Sequence, residues 1–288
     1  MSDIAATTPA ALVERRGLAQ LRPARVAYRR AFVALLQRDM HVLLKSWVLF
    51  IVRAVMQPLL LMFVFTYVFP KIGQGVGGSR GGETAFTSTL VAGVVGLAIV
   101  FQGIQAVALP LVQEFGYSKE IEDRVLAPLP TRMVGVQKIV TGMLNALIAA
   151  LLVFPIAYVV PATPVHLDVH WTILLTLAPL AGWVAAALGL VLGTRVAPQQ
   201  VSYLFALVVL PLTFLGCIYY PWRALEAVRW LQVAVLINPL VYMCEGFRSA
   251  LTNGVSHMGL PFVYGALIAF GVALTWIGVV GFEKRTVS

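Results

Sequence analysis

Residues 85–110 read AFTSTLVAGVVGLAIVFQGIQAVALP, with no charged side chain from end to end. A bilayer's hydrocarbon core, about 30 Å thick, is crossed by about 20 helical residues. This stretch is long enough to span it. Within lipid every backbone N–H and C=O must be satisfied inside the chain, which a helix does. Working outward, five further runs are long and apolar: 46–69 before it, interrupted only by the charge of Arg53, then 139–160, 171–193, 201–220 and 260–281. Of the 288 residues, 60% are hydrophobic and 11% charged. The fold class expected is an all-α integral membrane protein with six transmembrane helices.

The polar remainder is small. No segment has the size of a separate soluble catalytic domain. Residues 1–24 read as a disordered tail. Residues 25–45 place Phe32, Leu35, Leu36, Met40, Leu43 and Leu44 near helical spacing, interleaved with Arg29, Arg30, Gln37, Arg38, Asp39 and Lys45. That pattern predicts an amphipathic interfacial helix, apolar face in lipid and basic face toward anionic headgroups. The six-span transmembrane domain proper runs 46–288. The N-terminus lacks an apolar core followed by a small-residue cleavage site, so the first span is expected to act as an uncleaved anchor.

The net charge of +9 could point to nucleic acid, but its distribution follows the membrane. With the N-terminus inside, fifteen Lys and Arg fall in cytoplasmic segments. Five (Lys71, Arg80, Arg223, Arg229 and Arg248) fall outside, and Arg53 lies within the first span. This positive-inside bias predicts both termini in the cytoplasm of a bacterial-type inner membrane, with the lipid bilayer and not nucleic acid as a partner.

Two polar stretches stand out. The inner loop 111–138, LVQEFGYSKEIEDRVLAPLPTRMVGVQK, mixes acids and bases at helical spacing until Pro128 and Pro130 stop any helix. It reads either as a docking element or as a solvated connection. Residues 221–252 contain an apolar segment, Trp230–Met243, too short to span and interrupted by Asn238-Pro239. Its length predicts an external re-entrant helical hairpin before the last span. Glu245 and Arg248, three apart, share a helix face. They would pair inside the membrane or sit exposed at its outer surface.

Functional side chains are few. The glycine-rich loop (Gly73, Gly75, Gly77, Gly78, Gly81, Gly82) lacks the Gly-Lys-Ser/Thr of a phosphate-binding loop, and no Walker-type motif occurs. The four His are scattered, so no metal site is expected, and Cys217 and Cys244 are expected to be unpaired. No Asp/Glu/His series runs through the spans as a proton relay would. Uncharged polar residues that could line a pathway face are Gln57, Gln102, Gln105, Asn145 and Thr213, accompanied by Phe65, Phe101 and Phe214. An apolar cavity with a few polar groups suits an amphiphile, while the plainer reading of each residue is interhelical packing. Gly189 and Gly193 form a Gly-x-x-x-Gly that permits close helix contact.

Two stretches resemble one family. One is EDRVLAPLPT at 122–131, with Glu114 upstream. The other is PLTFLG at 211–216, followed by NPLVYM at 238–243 and Gly246-Phe247-Arg248. In order and spacing they resemble the permease subunits of type-2 ABC exporters, over about 25–285. The resemblance implies a homodimer of permeases served by two separate ATP-binding cassette subunits. ATP and Mg would sit on those partners, with no cofactor and no enzymatic activity on this chain. It implies contact with the ATPases through Glu114, Tyr117, Glu120, Glu122, Arg124 and Pro128. It further implies a substrate pathway along Gln57, Phe101, Gln102, Gln105, Thr213 and Phe214, and an outer gate at Asn238, Pro239, Glu245 and Arg248. The expected function is export of an amphiphilic drug, lipid or glycan-type substrate. The alternatives are an ion-coupled carrier and a membrane assembly or sensor protein that transports nothing.

Overall fold

The computed structural model describes residues 24–72, 80–118, 130–161, 167–196, 198–200, 205–253 and 255–287. These residues form helices with no strand among them. The helices are α1 (Ala24–Lys45), α2 (Trp47–Lys71), α3 (Arg80–Gln113), α4 (Thr131–Val159), α5 (Trp171–Arg195), α6 (Leu210–Phe214), α7 (Arg229–Ala234), α8 (Pro239–Leu251) and α9 (Leu260–Val287). Five of them, α2, α3, α4, α5 and α9, are long and apolar enough to cross a membrane.

The quoted stretch lies at the centre. Of the apolar window of α3, 78% is buried inside the protein, against 22% for α2 and for α9. Leu90, Leu97, Ile99 and Ile104 of α3 pack in one core with Ala146 and Val153 of α4, Leu177 and Val184 of α5, and Met243 and Phe247 of α8. Small residues bring these helices close. A Cβ added at Gly189 of α5 would lie 2.9 Å from the Ile104 carbonyl oxygen, so any side chain there would push α3 and α5 apart. Pro58, Pro110, Pro155 and Pro179 stand inside α2, α3, α4 and α5. Membrane helices tolerate such breaks because neighbouring helices and local π-helical adjustment take up the freed backbone groups. One π-helical turn, Phe63–Val68, lies five residues past Pro58.

The structure departs from the sequence expectation in four places. First, the run 201–220 is helical, among the described residues, only over a π-helical turn, Phe205–Val209, and α6. The helix stops at Phe214, and at Cys217 the chain turns with a left-handed φ of 52°. Second, the expected loop 111–138 is shorter. The helix of α3 runs on through a π-helical turn, Glu114–Ser118, and α4 already begins at Thr131. The polar residues at these ends are buried against each other, so the chain stays helical beyond its apolar runs.

Third, part of the apolar face of α1 is turned onto protein, while Leu44 stays exposed. Phe32 and Leu35 pack on a cluster that includes Leu111, Val134, Leu190 and Phe282, and Leu43 packs beside Phe50, Ala54 and Ala149. Asp39 accepts a hydrogen bond from Gln137 Nε2 at 2.9 Å. Fourth, α7 with its 3-10 extension and α8 meet at 98° at Asn238-Pro239, yet every residue of α8 is buried inside the protein. The second arm of the hairpin belongs to the core. The tail 1–23 and the glycine-rich residues 73–79 lie outside the described residues.

Candidate functional site

The helix ends sort into two groups. At the loop end meet the end of α3, the start of α4 and the ends of α5 and α9. Glu114 accepts a hydrogen bond from Lys138 Nζ at 2.6 Å, and both side chains are buried. Phe115 packs edge-on against Phe282, with the Arg285 guanidinium 4.6 Å from its ring centroid. Arg285 Nη1 also donates to the carbonyls of Gly193 and Val196, at 3.1 and 2.8 Å, where α5 ends. A cation at a helix C-terminus meets unsatisfied carbonyls and the negative end of the dipole. Arg132 Nε donates to both carboxylate oxygens of Glu283, at 2.9–3.0 Å.

Of the expected coupling residues, Glu114 therefore stands in a buried ion pair and not on an open surface. Glu120, Glu122, Arg124 and Pro128, and the side chain of Tyr117, lie outside the described residues. Lys138, Phe115, Phe282 and Arg285 were not singled out by sequence. One signal for the first was available. Glu114 and Lys138 are opposite charges at the two ends of one loop, each at the margin of an apolar run.

At the hairpin end, Glu245 and Arg248 are 1% and 0% exposed, which removes the surface-pair reading. Arg248 Nη1 donates to Glu245 Oε1 at 2.7 Å. Its Nη2 donates to the carbonyl oxygens of Cys217 and, at 3.1 Å, Ile218. Glu245 also accepts from the backbone N–H of Trp222 (2.7 Å) and of Met258 (2.8 Å). One helix thus fixes the chain on both sides of the hairpin. Ile218 presses its backbone on α3 so closely that Gly93 has no room for a Cβ. Asn238 caps α8 through the Leu240 N–H at 3.0 Å, and Pro239 takes the first helical position. The Asn238 amide donates to the Leu212 carbonyl of α6 at 2.7 Å. Cys217 and Cys244 are buried free thiols.

Between the two ends, α3 leaves one stripe incompletely covered. Phe101, Gln102, Gln105, Ala106, Leu109 and Pro110 are half-buried and Gln113 is exposed, while Ile104, Val107, Ala108 and Leu111 on the other side are buried. Three glutamines on one face of a span are costly against hydrocarbon. Such a face is suited to water, a second polypeptide or a polar group of a ligand. Phe214 is exposed on α6, Thr213 donates to the Leu210 carbonyl of its own helix, and Gln57 is half-buried on α2. The expected pathway residues on α3 thus share one face. Those on α2 and α6 are on separate helices, and α6 is tied to the hairpin through Asn238. Asn145 is buried in α4, its Oδ1 without a hydrogen-bond partner among the described residues. Among the described residues no group of His, Cys, Asp and Glu is placed to hold a metal.

A family profile described as ABC-2 type transporter matches residues 30–252. The inner membrane transport permease YadH of Escherichia coli strain K12 is 26% identical over 239 residues, covering 82% of this chain and 88% of that protein. Proteins of the same name from Escherichia coli O157:H7 and Shigella flexneri match with the same identity and coverage.

Proposed function

The chain belongs to the ABC-2 type transporter family, and on that premise we propose that this transport permease subunit works as half of an ATP-driven exporter. Two copies assemble with two ATP-binding cassette subunits in a cytoplasmic membrane, both termini inside. The partners hold ATP and Mg and carry out hydrolysis. This chain supplies the passage.

The observation that carries the reading is the stripe Phe101, Gln102, Gln105 and Gln113 on the span that is otherwise the most buried. A helix so enclosed has little reason to keep amides on its one open face unless that face meets something other than lipid. In a dimer the two stripes would line a path between protomers. Aromatic and amide groups together suit an amphiphilic drug, lipid or glycan-type substrate.

Movement of the partners on ATP binding would reach this chain through the segment between Ser118 and Thr131. The Glu114–Lys138 pair and the Phe115–Phe282–Arg285 packing then pass it to α3, α4, α5 and α9 together. At the other end Glu245 and Arg248 hold α8 as a fixed base. The outer gate opens by movement of Trp222–Ile237 about Asn238-Pro239.

The test is purification of the tagged full chain from its native membrane, with mass spectrometry of what accompanies it. An ATP-binding cassette protein in equal amount is expected. Q102L/Q105L should keep that partner and its ATP hydrolysis while changing transport. Recovery of the chain with no ATP-binding protein, together with uptake or efflux driven by a proton gradient alone, would overturn the proposal.

A further inference from the structure

We propose that α4 carries a site for ordered water inside the protein, entered from the loop end past Asp39 and closed beyond Asn145. Gln137, Thr141 and Asn145 stand four residues apart and form one row along that helix. They are 0, 6 and 7% exposed. A polar group taken out of water carries a cost unless a hydrogen bond replaces what it lost, and lipid offers none.

The protein supplies only part of what the row needs. Gln137 Nε2 donates to Asp39 Oδ2 of α1 and to Thr141 Oγ1, both at 2.9 Å. Thr141 donates in turn to the Gln137 carbonyl at 3.1 Å. These bonds fix which end of the Gln137 amide is nitrogen, and its Oε1 is turned away from them. That oxygen has no partner among the described residues, and neither has Asn145 Oδ1. Elsewhere the buried hydroxyls of Thr66, Ser249 and Thr252 bond carbonyls of the preceding turn. The two orphan amide oxygens are an exception, and they stand on one row of one helix. Both are acceptors, so the ligand that serves them is a donor.

Water fits this arrangement better than a cation. The Gln137 N–H group points at the oxygens of Asp39 and Thr141, and an N–H repels a metal ion. Gln137 and Asn145 are also separated by about 12 Å of helix rise, so one ion cannot serve both, whereas separate waters can. Buried water commonly bonds polar groups that the chain leaves unsatisfied, and fixing it costs less than leaving them bare. Asp39, half-buried beside the fully buried Gln137, forms the mouth. The row ends one turn past Asn145, where Ala149 packs against Phe50 and Ala54 of α2, an apolar contact that offers water no partner. Asn145 is midway along Thr131–Val159, so hydration reaches the middle of a span. Where α1 rests on α4, water then backs the Asp39–Gln137 bond, and α1 can shift on α4 by exchanging that bond for one to water.

The experiment is a cryo-electron microscopy map of the purified full chain in lipid nanodiscs, fine enough to show ordered water. Density is expected at about 2.5–3.0 Å from Gln137 Oε1 and from Asn145 Oδ1, the distance of a water hydrogen bond. Resolved side chains without such density at either oxygen would overturn the proposal, and this reading requires no variant to fold. So would a side chain from 119–129, a second copy of the chain or a lipid headgroup found in the same place. N145L, close to Asn in volume, gives a second reading. In a hydrated site it removes a hydrogen bond and leaves the water short of a partner, so the melting temperature should fall by about 2–4 °C. In a dry site the same change removes an unsatisfied polar group, and melting should rise. A rise, or no change, counts against the proposal, and a fall does not rescue it where the map shows no density. Neither readout involves ATP or a transported substrate, so this proposal and the exporter reading fail separately.

Discussion

The two ends of the molecule each bury one carboxylate against one cation, and they use the pair differently. At the hairpin end Glu245 and Arg248 stand on one helix, and their remaining hydrogen bonds go to the backbones of Cys217, Ile218, Trp222 and Met258. At the loop end Glu114 and Lys138 stand on two helices and join them across the loop. The first pair binds irregular chain to a helix; the second binds helix to helix. Ion pairs buried like this add little stability over apolar residues of the same shape, so what each contributes is geometry. The hairpin end is built as a fixed point and the loop end as a joint.

The largest effect expected is therefore R248M. It leaves the Glu245 carboxylate buried without its guanidinium and strips two carbonyls of their donor, a loss of about 3–5 kcal/mol. Adding E245Q removes the buried charge but leaves the backbone groups unserved, so the double variant should recover little. Thermal melting and the monodisperse fraction in detergent report both. Full recovery by the double change would mean that the charge alone mattered, and the contrast between the ends would fail.

K138M comes next, at about 3 kcal/mol, since Glu114 is nearly as buried. Here E114Q added to K138M should return much of the loss, because the cost lies chiefly in an uncompensated carboxylate. With stability restored, the joint itself is still cut. In the proposed assembly with ATP-binding subunits, partner ATP hydrolysis should then continue with less transport per ATP. If transport per ATP were unchanged, the pair would be packing and nothing more.

How much of this was legible in sequence follows from the same residues. Charge-free length reveals a span because lipid tolerates little else, and five of the six expected runs coincide with long helices. Run length misplaces the ends, however, because a paired Glu114 and Lys138 let the helices continue past the last apolar residue. The stretch 201–220 is as apolar as the others, yet its helix ends at Phe214, and beyond it a left-handed Cys217 presents its carbonyl to Arg248. That turn is set by a residue about thirty positions away. The face of α1 fails for a related reason. Periodicity reveals that Phe32, Leu35 and Leu43 share a side, but lipid and protein both satisfy an apolar side, and only the tertiary structure decides between them. On α3 the opposite holds. Gln102 and Gln105 were legible as candidates because an amide within a span is costly in lipid, and the structure adds that they share one face with Phe101.

Arg132 sharpens the comparison from its weak side. It too joins two helices at the loop end, its Nε within hydrogen-bond reach of both Glu283 oxygens. Its side chain, however, is 71% exposed and that of Glu283 35%. Water already solvates both charges, and salt screens them. R132A should cost no more than about 1 kcal/mol at low salt and less at high salt. Melting curves of R132A and K138M at low and high salt place the two side by side. The K138M loss should be nearly insensitive to salt, since that pair is shielded from it. A salt-sensitive loss in K138M, or an R132A loss of the same size, would show that helix-to-helix bridging sets the effect and burial does not. Bridging alone would then distinguish the loop end from the hairpin end, and Glu114 would have no special claim over Glu283 as the joint.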